Sequence, residues 1–270
     1  MKTFEQEVEK GARFEFGKNW RAFLSTLNDE RIKEAEKSLC EMLEATDLRG
    51  KRFLDIGSGS GLFSLAARRL GAFVHSFDYD PFSAACTQEL KSRYFPDNNQ
   101  WIVERGSVLD GEFLKSLGRF DIVYSWGVLH HTGDMWQAFN NVAELVDKNG
   151  LLFIAIYNHC NITSKLWWRI KKLYCSGAIG KILVCGFIIP YFFLKSCAES
   201  VFHRKNIFSQ YKKSRGMSIF YDWIDWLGGF PYEYAKVDEI FDFFKVKGFT
   251  LRNIKTTNSP SNNQFVFVKG

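Results

Sequence analysis

The chain has 270 residues, a formal net charge of +6, and 46% hydrophobic and 17% aromatic residues, with 27 Phe and 8 Trp. That length buries one good core with room for an inserted subdomain, and the apolar content excludes a disordered chain. Cysteines at 40, 86, 160, 175, 185 and 197 form no C-x-x-C pair, which argues against a zinc site or a disulfide framework and for reduced thiols in the cytoplasm.

The first residues, Met1 to Glu7, are charged, so no signal peptide is expected. Residues 1–50 read as helical. Asn28 or Asp29 can cap a helix whose apolar stripe is Ile32, Ala35, Leu39, Met42 and Leu43. Ahead of it, Phe16 and Trp20 stand in an aromatic segment.

Phe53, Leu54 and Ile56 then form a short apolar run, as a buried parallel strand would. Gly57, Gly59 and Gly61 follow, and Leu62, Phe63, Leu65, Ala66 and Leu70 recur at helical spacing. Glycines between strand and helix allow a sharp turn and close approach to a ligand at unpaired N–H groups. The spacing alone also suits dinucleotide folds. Asp55, inside the strand, favours a cationic ligand group over a pyrophosphate. The next strand, 72–78, ends at Asp78, whose carboxylate can accept from both hydroxyls of a ribose. A cationic amino-acid end and an adenosine end together describe S-adenosylmethionine (SAM).

This stretch resembles motif I of the class I SAM-dependent methyltransferases, LD-x-G-x-G-x-G, with its acidic end of strand 2. The resemblance implies that Asp55, Gly57, Ser58, Gly59 and Gly61 contact the methionine end, and that Asp78, with Tyr79 beside it, holds the ribose. It also makes residues 1–50 a lid in which Trp20 and Phe16 cover the ligands; packing of both against the sheet is the alternative.

Strands at 51–56, 72–78, 100–106, 119–125 and 150–156 alternate with helices near 60–70, 81–93, 111–117 and 134–147. Alternation of this kind implies an α/β fold with a parallel sheet, whose ligands lie beyond the carboxyl ends of the strands. Those ends are Asp78, Ser107, Ser125 with Trp126, and Tyr157. Glu104 to Asp110 resembles the family's adenine loop, with Ser107 where many members carry an acid and Val108 flanking the ring. Phe120 to Asp134 resembles the strand 4 motif of ubiquinone-biosynthesis-type small-molecule methyltransferases. Histidine is the side chain best matched to proton removal at neutral pH. His130 and His131 follow strand 4, and the resemblance favours His131 as base; a structural hydrogen bond is the alternative for either. No spacing forms a metal-ligand set, and metal dependence stays open at this point, with metal-assisted members known in the family that the chain resembles.

Residues 237–247 resume a helix, and 249–254 and 264–268 alternate as strands around a turn-rich segment. A closing hairpin fits the Rossmann-like seven-stranded order 3-2-1-4-5-7-6 that the resemblance implies, and argues against a nicotinamide dehydrogenase. The expected organisation is a lid (1–50), a SAM-binding core (51–157), a helical insertion after strand 5 (158–236) and the closing helix and hairpin (237–270).

Within 158–216 stand eleven basic residues and one acid, Glu199, so the rest of the chain is net negative. An apolar run from Ile182 to Leu194, interrupted by Pro190, is shorter than the roughly 20 residues that span a bilayer. A buried helix pair, interfacial membrane contact at the inner face, and a nucleic-acid surface all remain readings; no RNA-binding motif supports the third. Arg215 to Ala235 (RGMS…DW-x-GG-x-P-x-E-x-A) resembles a subgroup of bacterial class I methyltransferases. It offers Asp222, Asp225 and Glu233, with Trp20 and Tyr157, as contacts to the acceptor, or as caps and surface acids. The expected activity is methyl transfer to a hydroxyl of a small or lipid-linked molecule. RNA methylation and SAM binding without turnover are the alternatives.

Overall fold

The structure, a computed structural model, describes residues 3–97, 99–202 and 219–270. The basic residues expected at 204, 205, 212, 213 and 215 lie outside the described residues, as does the side chain of Asp222.

Seven strands form one sheet: β1 (Arg52–Ile56), β2 (Phe73–Asp78), β3 (Trp101–Arg105), β4 (Phe120–Trp126), β5 (Val146–Tyr157), β6 (Phe249–Lys255) and β7 (Asn262–Lys269). Their order is β3-β2-β1-β4-β5-β7-β6, as expected. The first five pair in parallel, while β7 runs antiparallel to both β5 and β6. β5 begins at Val146, four residues before its expected start, and the helix before it ends at Leu145.

Three helices precede the sheet: α1 (Phe4–Glu9), α2 (Gly17–Leu24) and α3 (Asp29–Leu43). Asn28 caps α3 by accepting from the Arg31 N–H, and Ile32, Ala35, Leu39, Met42 and Leu43 are its buried stripe. α4 (Leu62–Arg69), α5 (Pro81–Tyr94), α6 (Gly111–Leu117) and α7 (Met135–Leu145) alternate with the strands, and α11 (Val237–Val246) precedes the hairpin. Successive strand residues point to opposite faces. Phe53, Tyr124 and Phe153 therefore join one core with the α3, α4 and α5 side, and Leu54, Val123 and Ile154 join another with Phe139 and Phe244. Each such side chain contributes about 1.5–3 kcal/mol on burial.

Among the described residues, the insertion holds α8 (Asn161–Cys175), α9 (Ala178–Phe202) and α10 (Ile219–Gly228). Tyr174, Val184 and Leu227 form its own small core, with Trp167, Ile188 and Phe192 packed against them. One expectation is corrected here. The apolar run is part of a 25-residue helix with Pro190 inside it. Its 23-residue stretch Ala178–Ser200 is long and apolar enough to cross a membrane by length and composition alone. Lys181 and Lys195 bound the apolar run in the sequence and Pro190 interrupts it, yet the helix runs through all three.

Candidate functional site

The carboxyl ends of β1, β2, β4 and β5 converge on one side of the sheet. There the loop from Gly57 to Gly61 turns β1 into α4. Gly57, Gly59 and Gly61 have φ of 74°, 55° and 79°, a left-handed backbone that side chains other than glycine's disfavour. A Cβ on Gly57 would lie 2.4 Å from Val128, and one on Gly61 2.9 Å from the Thr87 backbone. The Gly59 N–H donates to Asp78 Oδ2 at 2.9 Å, and the Asp80 N–H donates to Asp78 Oδ1 at 2.9 Å. Ser58 and Thr87 hydroxyls bond at 2.8 Å. The loop and the acidic strand end therefore form one unit.

Asp55 is buried beneath this loop and accepts from Ser64 Oγ at 2.5 Å. Burial pushes its carboxyl up to about 7, against the Ser64 hydrogen bonds. Burial likewise pushes Asp78 up to about 7, opposed by the Gly59 and Asp80 N–H groups. Among the described residues, neither carboxylate is in an ion pair with Lys or Arg. Two desolvated acids without a cation, beside a loop of glycines, fit a positively charged ligand carrying a diol.

For Trp20 the observed contacts are those of the packing alternative, and they lie next to the glycine loop. Its ring packs against the core containing Phe53 and Leu65, and its Nε1 is 3.1 Å from where a Gly59 Cβ would stand. The Gly17 N–H, at the start of α2, donates to Asp80 Oδ2 at 2.7 Å, fastening this segment to the end of β2. Tyr79 meets Phe4 of α1 at 5.6 Å and the Arg13 guanidinium at 5.0 Å, so its ring anchors the N-terminal segment.

Elsewhere the strand ends divide. Ser107 Oγ accepts from the Leu109 N–H at 3.2 Å, and the buried Val108 accepts through its carbonyl from Asn141 Nδ2 at 2.8 Å. Ser125 is fully buried and donates to the Ile56 carbonyl at 3.1 Å, a tie between β4 and β1. Trp126, one residue on, is 40% exposed.

A 3-10 turn at Leu129–His131 follows β4 and carries both histidines. His131 Nδ1 is 2.5 Å from the Pro231 carbonyl. A carbonyl only accepts, so Nδ1 holds the proton, and Nε2 has no hydrogen-bond partner among the described residues. Burial lowers His131 to about 3, opposed by the Pro231 bond. The imidazole is therefore neutral, with an open lone pair. Phe16 and Tyr157 flank it, with ring centres at 5.1 and 5.4 Å.

His130 plays a different part. It is wholly buried, its ring lies 3.9 Å from that of Tyr157, and its Nδ1 accepts from the Tyr157 N–H at 3.4 Å. Burial, His131 and Lys171 together hold its pKa well below the usual range. It is a structural link between the turn and β5.

The acids of the insertion also separate. Glu233 accepts from the Gly133 and Met135 N–H groups at 2.9 and 3.1 Å, so both oxygens cap the start of α7. Asp225 accepts from Asn19 Nδ2 at 2.5 Å and ties α10 to α2. Both bonds fit the alternative reading of these acids as caps and structural ties.

Two residues here were not anticipated as site residues. Arg13 donates to the His131 and Thr132 carbonyls at 2.8 and 3.2 Å while paired with Glu7 at 2.6 Å, bracing the histidine turn. Lys171 is fully buried on α8 and donates to the Trp226 carbonyl in the last turn of α10. Its ammonium lies 4.2 Å from the Trp226 ring and 5.0 Å from that of Tyr232. Burial lowers Lys171 to about 7, against the attraction of Cys175 and Asp225. Helical spacing alone hints at its placement, since Ser164, Lys171 and Tyr174 share the buried face of α8.

Among the described residues no three His, Cys, Asp or Glu side chains converge as a metal site. All six cysteines are free thiols.

Comparison with known proteins adds three findings. A family model described as "Methyltransferase domain" matches residues 27–175, more than half of the chain. Ubiquinone biosynthesis O-methyltransferases are similar in sequence. The one from Glaesserella parasuis is 29% identical over 59% of this chain and 68% of its own length. The one from Pelagibacter ubique is 27% identical over 50% of this chain and 55% of its own. The chain thus spans about half to two thirds of these relatives. Magnesium protoporphyrin IX methyltransferase from Synechocystis, solved with bound SAH, shares the fold at a TM-score of 0.53 and 13% identity, over 88% of this chain and 83% of its own.

Proposed function

Because the chain belongs to the methyltransferase-domain family, with the class I SAM-dependent fold and motifs, we propose that it methylates a hydroxyl of a small or lipid-linked acceptor. Asp55, the Gly57–Gly61 loop and Asp78 hold the cofactor, and Trp20 closes over the loop. When bound, SAM supplies an electrophilic methyl on a sulfonium whose positive charge is lost on transfer.

The observation that carries the hydroxyl reading is His131. Its tautomer is fixed by the Pro231 carbonyl, and its Nε2 lone pair faces no protein partner. His131 accepts the acceptor's proton as the oxygen attacks. A buried imidazolium is unfavourable in the resting protein. During transfer, however, proton uptake by His131 offsets the charge lost from the cofactor, so the net charge of the site is conserved. Arg13 and Phe16 hold the turn and the ring in place.

The names of the relatives support an O-methyl acceptor, and the exposed apolar helix beside the acceptor side supports a lipid-linked one with peripheral membrane contact. Labelled SAM incubated with the protein and cell extract tests the reading. Base-stable label in the organic-soluble fraction supports it. Label in RNA would favour RNA methylation, and no label at all would favour a SAM-binding protein without turnover.

A further inference from the structure

α9 has the wrong polarity for a helix facing water. A surface helix carries its apolar stripe inward and polar residues outward. Here the inward face is Val184, Ile188, Ile189 and Phe192, packed with Tyr174 and Leu227. The outward face is apolar too. Ile179, Ile182, Leu183, Phe187, Tyr191 and Leu194 recur at spacings of three and four, and all are exposed. Ile182 is 71% exposed, Phe187 75% and Leu194 66%. Only 11% of the helix's most apolar stretch is buried.

The charges around this stripe have one sign. On α8, Lys165, Arg169 and Lys172 lie at spacings of four and three and face outward beside exposed Ile162, Leu166 and Leu173. Lys181 and Lys195 stand toward either end of the α9 stripe, both exposed. Glu199 is the single acid in α8 and α9, and lies 3.8 Å from Lys195. Lysine stems can lie along apolar surface while their ammonium groups reach phosphate.

We infer that α8 and α9 dock flat on an anionic bilayer leaflet, with the outward stripe of α9 in the acyl boundary and the basic residues of α8 among the headgroups. An apolar stripe rimmed by basic side chains matches an anionic interface on both counts. Although α9 is long enough to cross a bilayer, its inner face is already used. Phe192 meets Trp167 at 6.1 Å and Trp223 at 5.6 Å. A crossing would strip that face from the fold, whereas lying in the plane keeps both faces buried.

The docked surface also leads to the site. Phe192 contacts Trp167, Trp167 meets Trp226 at 5.2 Å, and Trp226 meets Tyr157 at 5.5 Å. Three ring contacts separate the membrane helix from the residue beside His131, so a docked α9 holds the acceptor side close to the leaflet. This purpose rests on the proposed lipid-linked acceptor; the docking itself does not.

Flotation of the full chain tests the inference, using phosphatidylcholine vesicles with and without phosphatidylglycerol at low and high salt. The protein is expected to float with the phosphatidylglycerol vesicles, several-fold less at high salt, and to be released by alkaline carbonate. The double variant Phe187→Ser, Leu194→Ser should stay at the bottom while binding SAM normally by calorimetry, which shows that it is folded. Protein that ignores anionic vesicles overturns the inference. So does resistance to carbonate, which means a crossing helix, or a wild-type homodimer that the double variant makes monomeric, which means a second copy covers the stripe. Methyl transfer by a vesicle-inert protein would remove the docking alone, and vesicle binding without methyl transfer would remove the acceptor reading alone.

Discussion

The SAM-binding core and the helical insertion treat polar groups in opposite ways. In the core, acidic and hydroxyl side chains are drawn inside and fixed by backbone N–H groups, as Asp78 is by Gly59 and Asp80. In the insertion, apolar side chains are pushed outside, as Phe187 and Leu194 are. The core is built to stabilise a charged ligand in a preformed cradle. The insertion is built around a surface that water does not satisfy. One half thus turns its polar groups inward to hydrogen bonds, and the other leaves an apolar face that no described residue covers.

The largest test of this division lies where the halves meet. His131→Ala should lower turnover about 10²- to 10⁴-fold while leaving cofactor affinity nearly intact. Single-turnover kinetics and calorimetry on the same preparation separate the two. A drop in cofactor affinity alone would make His131 structural and transfer the role of base to another group.

Within the core, Asp78→Ala should weaken SAM and its demethylated product by about 1.5–3 kcal/mol, the scale of hydrogen bonds to a charged group. Calorimetry showing unchanged affinity would falsify the ribose assignment. The double variant Phe187→Ser, Leu194→Ser should leave the same measurement untouched, because no contact of the cradle reaches α9.

The core was largely legible because its signals are local. Buried parallel strands show as apolar runs, and the strand-to-helix loop from Gly57 to Gly61 needs glycine for its backbone angles. What was not legible depends on partners far along the chain. Arg13 works on carbonyls 118 and 119 residues away, and no periodicity marks such a bond. Ser125 and Glu233 have the chemistry of ligand contacts, but their bonds go to Ile56 and to the start of α7. Being near a strand end locates a residue, yet alternation along the strand decides which way it points. The length of α9 escaped because a lysine and a proline within it look like boundaries, while helix packing on one side keeps it continuous.

A smaller effect follows from the two desolvated acids, and its sign differs between ligand and fold. Asp55 and Asp78 sit near 7 in the folded protein, above the usual carboxylate value of 3.8. The folded state without ligand therefore binds more protons than the unfolded one. The resulting stability is present below the ordinary carboxylate pKa and is lost as pH rises through about 7. SAM affinity should move the other way, rising with pH over the same window as Asp55 ionises toward its cationic end and Asp78 becomes a stronger acceptor for the diol. Calorimetry from pH 6 to 8 checks this, and Asp78→Asn should flatten the rise. A flat profile in the wild type would mean that the cofactor's charge is met elsewhere.

The smallest expected effect concerns Lys171, where the insertion breaks its own pattern by burying a charge. Lys171→Met removes an ammonium whose burial is unfavourable, which helps the fold. It also leaves the Trp226 carbonyl without that donor and removes two ring contacts, which hurts by about 1–3 kcal/mol for the carbonyl alone. The opposing terms nearly cancel, so the midpoint of thermal unfolding at pH 7 should move little. The pH dependence should change more clearly. Lys171 is held near 7 in the fold against an ordinary value of 10.5, so its neutral form is the favoured one. Its contribution is present at high pH and lost as pH falls through about 7. Lys171→Met should remove that loss, leaving the remaining dependence to the two core acids, which run the opposite way. Unfolding followed across pH 6 to 10 separates them. If the variant and the wild type fall in parallel, the ammonium is screened in solution, and the insertion holds its helices together by ring packing alone.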